Sequence, residues 1–230
     1  MRGVSYLVYD CCMTNEEIIT KTKKYLEKLF KSESSGHDYW HMYRVWKLSK
    51  YIAKKESNVD MFTLELAALL HDIADWKFHD GDEEAGPRAA RKWLESLGVD
   101  NKVIEHIEDI IRNISFKGAG VKTKLDTIEG QIVHDADKLD AIGAIGIART
   151  FAYGGSKGRL MYDPDIKPEL HNTFEAYKNN SGPTINHFYE KLLLLKDRMF
   201  TTTGKVLAKD RHDIMEKFLQ EFYAEWEGEK

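Results

Sequence analysis

The sequence predicts an all-α fold, and three observations carry that prediction. Apolar residues recur at spacings of three and four along most of the chain, the period of a helix with one buried face. Polar capping residues stand just ahead of several of these stripes. Only four prolines, Pro87, Pro164, Pro168 and Pro183, interrupt 230 residues, so few positions lack the backbone donor a helix needs.

Residues 1–13 read as an N-terminal tail, because Asp10 interrupts the apolar start too early for a signal peptide. A single domain is expected over 14–230. "TNEE", Thr14 to Glu17, is a capping-box pattern that opens a helix to about Phe30, where "SESSG" breaks it. Asp38 can cap a second helix to about Glu56, with Val45, Leu48 and Ile52 on one face. Asp60 can cap a third, the apolar "FTLELAALL" segment that ends near Ile73. A fourth runs from about Glu84 to Leu97 and stops at Gly98. Asp100 can cap a fifth, striped by Val103, Ile107, Ile110 and Ile114, and "SFKGAGVKTK" follows as a loop. A sixth is expected from about Leu125 to Tyr153, with a bend near Gly143 or Gly146. "YGGSKGRLMYDPDIKPE" is the longest irregular stretch and suits an active-site rim. Two helices close the chain, about Thr184 to Phe200 and Lys205 to Trp226, the latter with Ile214, Phe218 and Phe222 as its core stripe. The expected architecture is one helical bundle of about seven to nine helices.

A net charge of −4 without a long basic tract makes duplex nucleic acid an unsuitable partner. No apolar run reaches the roughly 18 to 20 residues of a membrane span. Cys11 and Cys12 are adjacent, which suits a reducing cytoplasm better than a disulfide framework.

Five of the nine histidines precede an aspartate. His212–Asp213 is expected on a solvated helix face, His37–Asp38 at a helix start, and His79–Asp80 in an exposed loop. His71–Asp72 differs, because His71 shares a face with Leu64, Ala67 and Ala68 at the end of an apolar helix. A cation there would offset the cost of placing an acid and an imidazole in the interior. Asp75 lies one turn on. His41 stands on the stripe of Val45, Leu48 and Ile52, and "EGQIVHDADKLDAIGAIGIART" sets Asp135, Asp137 and Asp140 into an otherwise small and apolar helix. Periodicity alone favours Asp135 as the inward acid, in line with Ile128, Ile132, Leu139 and Ile142.

"HMYRV", "LLHDIAD", "ISFKG" and "DADKLDAIGAIGIARTFAYGG", in that order, resemble the HD superfamily of metal-dependent phosphohydrolases. The resemblance is to the small bacterial branch that includes nucleoside triphosphate pyrophosphohydrolases, and it covers about residues 14–225. It implies an HD-domain bundle with His41, His71, Asp72 and Asp137 as metal ligands. It implies Asp75 as the acid that handles water and Lys138 as a basic group near substrate phosphate. Lys117, in the acid-free basic stretch "RNISFKGAGVKTK", and Arg149, beside the glycine-rich stretch, are expected to be substrate-binding cations. Two imidazoles and two carboxylates suit one divalent ion of Mn, Ni, Co, Fe or Zn, with Mg also admissible. The implied substrate is a small phosphorylated molecule, a nucleotide above all, and a homodimer is compatible with the pattern. The alternatives are a nucleoside monophosphate phosphatase or a phosphodiesterase, a non-catalytic nucleotide-sensing module, and a di-metal oxygenase drawing on His79 and His106.

Overall fold

The computed structural model describes residues 13–31, 38–74, 82, 84–114, 124–169 and 182–230. Among them are nine α-helices, one 3₁₀ segment and no strand. In chain order the helices are α1 (Asn15–Leu29), α2 (Tyr39–Ala53), α3 (Met61–Leu70), α4 (Ala85–Ser96), α5 (Asn101–Ile114), α6 (Ile128–Asp140), α7 (Gly143–Ser156), α8 (Asn186–Glu190) and α9 (Thr202–Trp226). The predicted all-α class therefore holds. None of the described helices is long and apolar enough to cross a membrane.

The expected caps form. Thr14 and Glu17 complete a reciprocal capping box on α1. Asp38 accepts the His41 backbone N–H at 2.8 Å and so starts α2 three residues before the histidine. Asp60 accepts from the N–H groups of Phe62 and Thr63 at the head of α3. Each cap satisfies donors that a helix start leaves unpaired.

α3 is the centre of the molecule. Leu64, Leu66, Ala67, Ala68, Leu69 and Leu70 are inaccessible to solvent, because α3 packs against α1, α2, α5 and α6. α6 packs on α2, α3, α5, α7 and α9, and ten of its thirteen residues are buried. A helix without a solvent face must satisfy its acids inside the protein. That requirement decides where Asp135, Asp137 and Asp140 point.

Three segments depart from the expected elements. The long sixth helix is two, α6 and α7, because the chain turns at Ala141–Ile142 and Gly143 takes a left-handed φ of 73°. A side chain at Gly146 would meet the Ala141 carbonyl, so α7 can start close against the end of α6. The helix expected from Thr184 to Phe200 is the five-residue α8 followed by a 3₁₀ segment, Leu192–Arg198. The tighter repeat of three puts Leu192 and Leu195 on one buried face. The inward row of α9 is Ala208, Met215 and Leu219, whereas Ile214 is 48% exposed and Phe218 and Phe222 are partly buried. His212 lies with the buried row, 6% exposed, which corrects the expectation of a solvated face; Asp213 keeps it and pairs with Lys209 at 3.3 Å.

Candidate metal centre

α2, α3 and α6 bring four donor atoms together. His41 stands on α2, His71 caps the C-terminus of α3, Asp72 follows it, and Asp137 comes from α6. The two Nε2 atoms are 3.2 Å apart. His41 Nε2 lies 3.5 Å from Asp72 Oδ2 and 3.5 Å from Asp137 Oδ1. His71 Nε2 lies 3.7 and 3.9 Å from the same two oxygens. Ligands about 2.1 Å from a shared ion sit roughly 3.0 to 3.4 Å apart at right-angle to tetrahedral geometry. The cluster is therefore close to the size an ion requires, and His41, His71 and Asp137 could hold one.

The far side of each ring sets its tautomer. His71 Nδ1 donates to the Ala68 carbonyl at 2.9 Å, and a carbonyl can only accept. His41 Nδ1 donates to Asp140 Oδ2 at 2.7 Å. Neutral rings held in this way both turn their Nε2 lone pairs into the cluster, facing two carboxylate oxygens. Four acceptors meeting without a donor require a cation. In the metal-free chain a proton supplies it. Burial opposes a charged His41 most strongly, but hydrogen bonds to Asp137, Asp140 and Asp72 override burial and push its pKa up to about 10. Asp137 feels an opposing burial cost too, yet Lys138, His41 and His71 hold its carboxyl well below the usual range.

Asp140 carries more than the sequence discloses. Its oxygens accept from His41 Nδ1, from Arg44 Nε at 2.7 Å and Nη2 at 3.0 Å, and from Arg149 Nη1 at 2.7 Å. Burial would raise its pKa, but hydrogen bonds from His41 and Arg44 leave it well depressed, so the carboxylate stays ionised. The signal for these residues was spacing: Asp140 lies one turn beyond Asp137, and Arg44 one turn beyond His41. Asp140→Asn is expected to keep the fold, free the His41 ring to reorient, and weaken metal binding about 10- to 100-fold. Titration with Mn²⁺ checks this, and wild-type affinity in the variant would show that Asp140 does not orient the ring.

The other expected site residues separate clearly. Lys138 is buried and donates to Asp137 Oδ2 at 2.8 Å and to the Ile114 carbonyl at 3.4 Å. It thus occupies the Asp137 oxygen that faces away from the cluster. Arg149 bonds Asp140 rather than any of the four cluster donors. Asp75, Lys117, His37, His79 and Asp80 lie outside the described residues. Asp38 is a helix cap. His106 bonds Thr127 at 3.0 Å and lies 3.8 Å from Glu129, in a group with no link to the cluster.

Asp135, the acid that periodicity favoured, points elsewhere. It is inaccessible and accepts from the N–H groups of Phe200 and Thr201 and from the Thr201 hydroxyl, at 2.8 to 2.9 Å. Thr201 caps α9, and Gly204 admits the Asp135 carboxylate against the first turn, where a side chain would collide with it. The negative charge there also matches the positive end of α9.

Residues 39–142, from α2 to the α6–α7 break, match the family described as HD domain. The chain is 38% identical over 200 residues to YpgQ, an uncharacterised protein of Bacillus subtilis (strain 168), covering 86% of this chain and 89% of that one. A crystal structure of an HD-superfamily hydrolase from Bacillus thuringiensis is 44% identical, covers 93% of this chain and 99% of its own, and superposes with a TM-score of 0.73. The crystal structure of Bacillus subtilis YpgQ in complex with ADP is 31% identical, covers 93% of this chain and 97% of its own, and gives a TM-score of 0.72. The convergence of an isolated histidine, a His–Asp pair and a later aspartate, in a chain this similar to those proteins, has one conclusion: the protein belongs to the HD superfamily of hydrolases.

Proposed function

We propose that the protein is a divalent-metal-dependent phosphohydrolase acting on a nucleotide or a related small phosphate ester. The observation that carries the reading is the set of four converging donor atoms, with both histidines committed through Nδ1 to other partners. His41, His71, Asp72 and Asp137 would hold the ion. When bound, a divalent ion lowers the pKa of water and polarises a phosphoryl oxygen. The chain's own residues do the rest. Asp140 and the Ala68 carbonyl orient the rings, and Lys138 fixes the direction of the Asp137 carboxylate. Asp75, four residues after His71 in the sequence, would take the water's proton. Lys117 and Arg149 would offset charge on the phosphoryl group.

The nucleotide part of the reading draws support from ADP in the related YpgQ complex. A nucleoside triphosphate pyrophosphohydrolase, a nucleoside monophosphate phosphatase and a phosphodiesterase differ in their products. The test is a metal-reconstituted screen over nucleotides, with orthophosphate and pyrophosphate measured separately. Pyrophosphate released from a triphosphate identifies the first of these, and orthophosphate from a monophosphate the second. Nucleotide binding without turnover across Mn²⁺, Co²⁺, Ni²⁺, Zn²⁺ and Mg²⁺ overturns the catalytic reading.

Metal loading should exchange ion for proton. With the His41 pKa at about 10 in the metal-free chain, the ring is charged at pH 8 and must lose its proton to ligate. Loading at that pH is expected to release about one proton per chain. Calorimetry in two buffers of different ionisation enthalpy counts it, and release of none rejects the exchange. The stability consequence has a definite sign, because the folded pKa lies above the ordinary imidazole value of about 6.5. In stripped protein the His41 contribution is fully present below about 6.5 and is lost as pH rises through about 10.

A further inference from the structure

Behind the metal centre, on the Nδ1 side of His41, lies a second concavity of about 330 Å³. α2 supplies Tyr43, Arg44, Lys47 and Tyr51, α7 supplies Ile145, and α9 supplies Arg211. None of the four cluster donors lines it. Asp140 stands between the two: its Oδ2 accepts from His41 Nδ1, while the Arg44 guanidinium, which lines the pocket, spans Oδ1 and Oδ2. The volume lies at the lower end of the range of small-molecule pockets.

The charge in this pocket is unbalanced. Arg44, Lys47 and Arg211 contribute three cations against the single carboxylate of Asp140, which Arg149 and His41 also engage. Arg211 is the telling residue. Its guanidinium donates to the Leu139 carbonyl, at the end of α6. Among the described residues it forms no ion pair, and its attraction to Asp140 acts at longer range. Burial lowers its pKa more than that attraction restores it. Its stem packs on Gly143, where an added Cβ would lie 2.9 Å from Arg211 Cγ. The glycine at the α6–α7 break therefore makes room for this arginine. A half-buried, positioned cation without a carboxylate partner among the described residues favours an anion. Tyr43 and Tyr51 line the same pocket; the Lys55 ammonium lies 4.7 Å from the Tyr51 ring centroid, and aromatic side chains of this kind pack against flat apolar groups.

We propose that this pocket binds a small phosphate-bearing compound with an aromatic ring, at a site separate from the metal centre. Arg44, Lys47 and Arg211 meet the phosphate, and Tyr43 and Tyr51 pack on the ring. The site does not depend on the hydrolytic reading, since it needs neither the ion nor turnover.

AMP is the probe, titrated calorimetrically into the full chain with EDTA present so that the metal centre is not loaded. The expected result is binding of one AMP per chain. Lys47→Glu and Tyr51→Ala, both at exposed rim positions, should each weaken it by about fivefold or more. Both variants should keep the wild-type Tm and Mn²⁺ content, because neither residue touches the cluster. Three results overturn the proposal: no metal-independent binding, binding that both variants leave unchanged, or weakening by Lys47→Glu alone. The last would reflect charge at a distance rather than a ligand in this pocket. Failure of the nucleotide screen described above would leave this experiment unaffected.

Discussion

Asp137→Ala is expected to empty the metal centre and abolish hydrolysis together. Asp137 is the one donor that α6 contributes to the cluster of His41, His71 and Asp72. Its removal also deprives the Lys138 ammonium of its carboxylate at 2.8 Å. A buried cation would then stand next to the place meant for a divalent ion and repel it. Loss of a ligand and gain of a repulsion act in the same direction. The expected loss of turnover is roughly three orders of magnitude or more, with bound metal falling below about a tenth of an equivalent. Elemental analysis of the purified variant and phosphate release measured with added Mn²⁺ check both halves. The metal-free variant should melt below the stripped parent, because Lys138 and His41 lose a buried partner. It should keep the parent's helical circular dichroism and a single cooperative transition, which separates loss of the site from loss of the fold. Unchanged metal content would overturn the ligand assignment.

Asp135→Ala should do the opposite: retain the metal and destabilise the protein. Its carboxylate serves two backbone N–H groups and one hydroxyl where α6 meets the start of α9, a place without access to solvent. Alanine leaves those donors buried and unpaired, removes an anion from a helix N-terminus, and opens a cavity. Together these cost about 3 to 5 kcal/mol, which for a chain of this size lowers Tm by about 10 °C or more. Differential scanning calorimetry measures the shift. Asp135→Asn, which keeps an acceptor and the volume, should recover part of it. A wild-type Tm in Asp135→Ala would mean that α9 does not depend on this cap. The pair of variants separates two acids two residues apart into a metal-site role and a folding role.

The sequence was a good guide wherever local rules decide the outcome. The caps at Thr14, Asp38 and Asp60 follow from side chains that reach their own helix's free N–H groups, and such contacts span only a few residues. The apolar stripes of α2 and α5 follow from period alone. His41 and His71 were placed inside correctly because each sits on such a stripe. The reading weakened where two helices meet. His212 looked polar by its neighbours in the chain, but α9 turns that side toward α6, α7 and the 3₁₀ segment. The break between α6 and α7 was expected as a bend, since period does not show that Gly143 adopts a left-handed turn and that Arg211 needs the space above it.

α6 states the division most clearly. The sequence by itself determined that three acids lie on one short helix with few polar neighbours, and that such acids need compensation. Successive residues on a helix turn about 100°, so Asp135 and Asp137 face nearly opposite ways while Asp140 returns close to the side of Asp137. Which compensation each acid receives was decided by what stands opposite it. The start of α9 faces Asp135, the imidazoles of α2 and α3 face Asp137, and the Nδ1 of His41 with Arg44 and Arg149 faces Asp140. Periodicity specifies the direction of a side chain, but a carboxylate's role depends on the donors that other helices bring to it, and only tertiary packing supplies those.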